Sequence, residues 1–141
     1  MQKVLYLQQN GRVAVVCSAG SIQQAIDAVP VGLSHLVVNN EDLPSKEDLL
    51  DFFDALTADF GNLEKPNVRI DLDTAKELTK ERLRRERINL FDKNDITLRD
   101  AMLAGDKTKI AEAISERDRL RNVTSLVDGI RTLDGLRKLH P

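Results

Sequence analysis

Residues 73–91 read Asp73-Thr-Ala-Lys-Glu-Leu-Thr-Lys-Glu-Arg-Leu-Arg-Arg-Glu-Arg-Ile-Asn-Leu-Phe91, and this run decides the fold. It holds no Gly and no Pro, and its β-branched residues are confined to Thr74, Thr79 and Ile88. Strong helix formers fill the rest, so propensity summed over the window predicts a helix. Leu72, Ala75, Thr79 and Leu83 recur at steps of three and four, with Leu78 beside them. That spacing draws a narrow apolar stripe along a charged rod. A stripe so thin needs a partner surface.

The matching surface lies downstream. Residues 107–121 carry Ile110, Ala113, Ile114 and Leu120 at helical spacing, and Gly105-Asp106 ahead of them reads as a helix stop and a new N-cap. Two antiparallel rods are therefore predicted. Lys93-Asn94-Asp95 is expected to interrupt between them, with Thr97 and Asp100 opening a two-turn helix that carries Leu98, Met102 and Leu103. Asn122 to Ser125 should break the second rod, Ser125 with Asp128 should cap a short turn, and Thr132 should open a terminal helix with Leu133, Leu136 and Leu139.

The front half has a different texture. β-Rich runs at Lys3–Gln8 and Val13–Cys17 flank Asn10-Gly11, which predicts a hairpin with a type I′ turn. Ser21 with Gln24 forms a capping box before Ile22, Ala25 and Ile26, and Pro30 and Gly32 end that helix. His35–Asn39 reads as a third strand. Ser45 with Asp48 caps a second helix whose buried face is expected at Leu49, Leu50, Phe52 and Phe53. Leu56–Phe60 fits either a continued helix or an edge strand, and Val68–Ile70 either a last short strand or an extended lead-in. Gly61-Asn62 and Pro66-Asn67 mark a linker. The expected fold is α+β. A small ββαβα unit with its helices on one face of the sheet covers residues 1–66, and a helical hairpin with short C-terminal helices covers 67–141.

Charge follows the same division. Residues 1–71 hold five Lys/Arg against ten Asp/Glu, net −5; residues 72–141 hold sixteen against thirteen, net +3. Trp is absent and aromatics are few, so the cores should be aliphatic and modest. The one cysteine, Cys17, excludes an intrachain disulfide, and its neighbours Val15 and Val16 favour a buried thiol. The N-terminal run is too short for a signal peptide, and no apolar run approaches membrane-spanning length, so synthesis in the cytoplasm is expected.

Four blocks carry a family resemblance: Asp71-Leu-Asp-x-Ala75-Lys-Glu-x-x-x-x-Arg82-Leu-Arg84, Leu98-Arg-Asp-Ala-Met-Leu-Ala-Gly-Asp106, Ile110-Ala-x-x-Ile114 with Leu120-Arg-Asn-Val-Thr124, and Thr132-Leu-Asp-Gly-Leu-Arg-Lys-Leu139. Residues 70–139 resemble the C-terminal domain of small tailed-bacteriophage tail proteins of unassigned biochemistry, often encoded beside tail-fibre genes. Phe91-Asp-Lys-Asn-Asp-Ile96 departs from that pattern, which has small and apolar residues there. The resemblance implies a non-enzymatic protein, either built into the virion or acting in tail-fibre assembly. Its implied partners are tail or tail-fibre proteins and further copies of itself. Its implied location is the host cytoplasm during assembly, or the virion tail.

Candidate chemistry is sparse. In Lys80-Glu-Arg-Leu-Arg-Arg-Glu-Arg87 the pairs Glu81/Arg85 and Arg82/Glu86 stand at i,i+4, the mark of a solvated face, and no aromatics interleave to stack bases. Nucleic-acid binding through residues 80–87 is the alternative function, opposed by that mixed charge. Asp92–Leu103 fails as a calcium loop, with Thr97 in place of the turn glycine and Leu103 in place of the bidentate carboxylate. Ser18-Ala-Gly-Ser21 has too little glycine for a phosphate loop, and His35 and His140 sit in unrelated contexts. No catalytic, cofactor or metal site is assigned. Partner contacts are expected at Leu72, Ala75, Thr79, Leu83, Arg84, Arg87 and Leu90 on the first rod and at Ile110 and Ile114 on the second.

Overall fold

A computed structural model describes residues 1–16 and 20–141. The readings made of Cys17 and of the turn at Ser18 fall outside the described residues. The fold is α+β, in two compact units, Met1–Ala75 and Lys76–Pro141.

In the first unit β1 (Gln2–Leu7) is the centre of a three-stranded antiparallel sheet, between β2 (Val13–Val16) and β3 (His35–Asn39). Leu5 lies opposite Val15 on one side and Leu36 on the other. The hairpin loop is one residue longer than the type I′ reading. Gln8 and Arg12 close a three-residue loop, Gln8 N donating to Arg12 O at 2.8 Å and Gly11 N to Gln8 O at 3.0 Å. Positive φ falls on Gly11 alone in this loop (φ 81°), as a type I turn followed by a glycine bulge requires.

Alternation along β1 supplies both faces with core. Leu5, with Val13, Leu36, Val38 and Leu56, forms one cluster. Val4 turns to the other side and packs with Ala25 and Val29. Helix α1 (Ile22–Asp27) covers the Val4 face. Helix α2 (Lys46–Phe52) and a two-stranded ribbon, β4 (Leu56–Thr57) against β5 (Arg69–Ile70), cover the Leu5 face. The helices thus lie on opposite faces, a correction to the one-face expectation. Both predicted caps form: Ser21 and Gln24 close a reciprocal capping box, and Ser45 accepts from Asp48 N. The buried face of α2 is narrower than expected. Phe52 is buried and Leu49 half-buried, whereas Leu50 and Phe53 are exposed. A short 3₁₀ turn at Phe53–Ala55 then leads into β4, which decides for the edge strand.

Helix α3 (Leu72–Ala104) begins in the first unit and belongs mostly to the second. Asp71 caps it. Its carboxylate accepts from Thr74 N at 3.0 Å and from the Thr74 hydroxyl at 2.6 Å. Those hydrogen bonds hold the Asp71 carboxyl below its ordinary value. A depressed carboxyl contributes stability that is present above its unfolded value and is lost as pH falls through the folded one. Asp71→Ala is therefore expected to cost about 1 kcal/mol at neutral pH. Asp71→Asn should keep most of that, while losing the share that wild type loses in acid. Urea titrations at neutral and acidic pH check both.

The predicted interruption at Lys93-Asn94-Asp95 does not occur: α3 runs unbroken for 33 residues. Asn94, expected in the interruption, and Thr97, expected to cap a new helix, are engaged otherwise. Thr97 donates its hydroxyl back to Lys93 O at 3.1 Å rather than capping a new helix. Asn94 is buried and donates its amide to Ala113 O, 2.8 Å away on α4 (Lys107–Asn122). The turn between the helices follows the sequence expectation. Gly105 takes φ 69°, Gly105 N donates to Met102 O and Asp106 N to Ala101 O, and Asp106 caps α4 at Lys109 N. This is a Schellman stop joined directly to an N-cap. A 3₁₀ segment (Val123–Gly129) follows, in which Ser125, expected to open a short turn, donates its hydroxyl back to Asn122 O. Helix α5 (Leu133–Lys138) is capped by Thr132 as predicted.

Candidate functional site

The second unit is braced from α3 outwards. Arg82 donates to Leu136 O at 3.1 Å and to Leu139 O at 2.7 Å, at the C-terminal end of α5. Arg87 donates to Leu120 O and Arg121 O, both at 3.1 Å, at the end of α4. Carbonyls in the last turn of a helix lie at the negative end of the helix dipole and have lone pairs to spare, so a guanidinium suits them. Lys80 meets the Asp128 carboxylate at 2.9 Å, raising the lysine and lowering the aspartate from their ordinary values. Cations spaced along one helix thus hold three later segments. Arg117 on α4 also ties back to Asp95 on α3, at 2.6 Å.

Beneath these bridges runs the seam. Thr79, Leu83, Asn94, Leu98 and Ala101 are buried along α3, and Ala113, Leu120, Val123, Val127 and Leu136 are buried on the later segments. The stripe read from the sequence is the first part of this seam; Asn94 reads there as part of an interruption and Leu98 as part of a separate short helix, although steps of three and four through Arg87 and Leu90 lead to both.

The expected partner-contact residues separate into distinct places. Ala75, Thr79 and Leu83 are buried within the chain, so their atoms are not surface for another molecule. Leu72, Arg87, Leu90 and Ile110 are half-buried, and Arg87 is committed to the end of α4, with its guanidinium also 5.6 Å from the centre of the Phe91 ring. Arg84 and Ile114 are exposed. The basic run divides likewise, Arg82 and Arg87 bracing the fold while Arg84 and Arg85 face water.

The opposite side of α3 has its own pattern. Ile88, Ile96 and Leu103 are 57%, 51% and 82% exposed, and Asp92 and Arg99 stand between them. At about 100° per residue these five positions fall within an arc of about 80°, opposite the buried seam. No continuous apolar stripe marks this face in the sequence, because charged residues separate its apolar ones. His35 lies on β3, and His140 rests 3.5 Å from Glu86. Among the described residues no group of three or more His, Cys, Asp or Glu is placed to hold a metal ion, and no helix is long and apolar enough to cross a membrane. Compared with protein-family models, curated proteins and solved structures, the chain shows no match.

Proposed function

We propose that this chain is a non-enzymatic protein of a bacteriophage tail, acting through protein–protein contacts as a virion component or a tail-fibre assembly factor. The motif blocks between residues 71 and 139 resemble those of the tail family. The observation that carries the contact role is the outer face of α3. A helix braced by Arg82, Arg87 and Asn94 presents Ile88, Ile96 and Leu103 to solvent on a stiff support. Exposed apolar side chains gathered on one rigid face favour recognition of another protein surface. The alternative, nucleic-acid binding through residues 80–87, has Arg84 and Arg85 in its favour and lacks Arg82 and Arg87, whose guanidiniums are engaged.

Mass spectrometry of purified phage particles tests the reading. Stoichiometric presence identifies a structural subunit. Absence from particles, together with recovery of a tail-fibre protein on the tagged chain during assembly, identifies an assembly factor. Absence from both would overturn the proposal. A low-salt mobility-shift titration on DNA and RNA is expected to stay flat; steeply salt-dependent binding would favour the alternative.

A further inference from the structure

We infer that the outer face of α3 pairs with the same face of a second copy of this chain, antiparallel, about a two-fold axis beside Ile96. This rests on the protein-contact reading above, and is independent of any phage tail. The face reads, in order, Ile88, Asp92, Ile96, Arg99, Leu103. Reversed against itself, that order sets Ile88 opposite the other copy's Leu103, and Asp92 opposite the other copy's Arg99. Ile96 then lies beside its own mate, offset by one residue, about 1.5 Å of helical rise. Apolar meets apolar and each carboxylate meets a guanidinium, twice over by symmetry, as an isologous two-fold contact demands.

The charges also fix direction. A parallel pairing would bring Asp92 onto Asp92 and Arg99 onto Arg99, so like-charge repulsion excludes it. Both charged groups are available for the exchange. Asp92 is exposed, and Arg99 has 70% of its side chain in water, beside its neighbour Asp100 at 3.9 Å. Asp95, the charge closest to the axis, is drawn off this face by Arg117. Antiparallel helices with apolar ends and centre and crossed ion pairs between them are a self-complementary unit.

Light scattering on the full chain, at the high concentrations that small interfaces require, tests this. The expected mass approaches twice 15.8 kDa. Ile96→Asp, which sets two carboxylates together at the axis, should return the mass to that of one chain. Asp92→Arg alone and Arg99→Asp alone should each weaken association by about tenfold or more, since each creates two like-charge contacts. The double swap Asp92→Arg with Arg99→Asp should restore it. All sites are on the solvated face, so circular dichroism should be unchanged in every variant. A wild-type monomer at all concentrations, or a dimer indifferent to the swaps, would overturn the inference. The particle census described above can succeed or fail separately, so the two readings are distinguishable.

Discussion

Replacing Leu83 with aspartate is expected to unfold the second unit. Leu83 is fully buried in the seam, one helical turn from buried Thr79. Loss of its side chain alone costs about 2–5 kcal/mol, the usual range for a large-to-small change in a core. A carboxylate left there without a partner adds a further desolvation cost of about 2 kcal/mol or more. A unit of this size has only a few kcal/mol to lose. Far-UV circular dichroism and a urea titration should show a lost or strongly shifted transition for Leu83→Asp, and a smaller shift for Leu83→Ala. Ile88→Asp, on the outer face, should leave the transition within about 0.5 kcal/mol of wild type. The pair separates the two faces of one helix. It also bears on how association is read: a Leu83→Asp chain that fails to associate has lost its fold, so only outer-face substitutions report on a partner. Equal effects at Leu83 and Ile88 would contradict the division of α3 into a seam and a free side.

How much of this was legible depended on the distance over which each signal acts. Helix ends are local, and Ser21, Ser45, Gly105-Asp106 and Thr132 all cap or stop helices where the sequence placed them. Strand β3 and the position of the first hairpin were equally local. The hairpin's turn type was not, because Asn10-Gly11 serves a three-residue loop as well as a two-residue one, and strand register chose between them. The placement of α1 and α2 on opposite faces followed from which side of β1 each could cover, information that the adjacent Val4 and Leu5 share equally. Asn94 looked like a helix breaker because polar amides compete for backbone hydrogen bonds. Its competitor was a carbonyl on another helix, which no local window contains. The same holds for the candidate site. Arg82 and Arg87 looked like solvated surface, and the i,i+4 pair Arg82–Glu86 does form, at 3.0 Å. Their other partners lie 33 to 57 residues further along the chain.

Arg82→Ala is expected to release α5. Its guanidinium supplies donors to two terminal carbonyls, Leu136 O and Leu139 O, and binds Glu86 with the same group. Charged hydrogen bonds of this kind contribute about 1.5–3 kcal/mol, and the side chain is mostly shielded from water, which limits screening. Burial pushes Glu86 upward, but the hydrogen bond and charge of Arg82, aided by His140, hold its carboxyl below the ordinary value. A depressed carboxyl contributes stability above its unfolded value, and that stability is lost as pH falls through the folded one. The variant should therefore be destabilised by about 2 kcal/mol at neutral pH, with a smaller further loss on acidification than wild type shows. Arg82→Lys should recover little, since a lysine ammonium lacks the planar fork that reaches both carbonyls and the carboxylate together. Hydrogen exchange gives the local readout. Amides of α5 should exchange faster in Arg82→Ala while those in the middle of α4 change less, and Arg87→Ala should concentrate its effect at the end of α4, where Leu120 O and Arg121 O lose their donor. If α5 protection were the same in wild type and Arg82→Ala, the brace from α3 would contribute nothing to holding it, and Arg82 would be free for a partner after all.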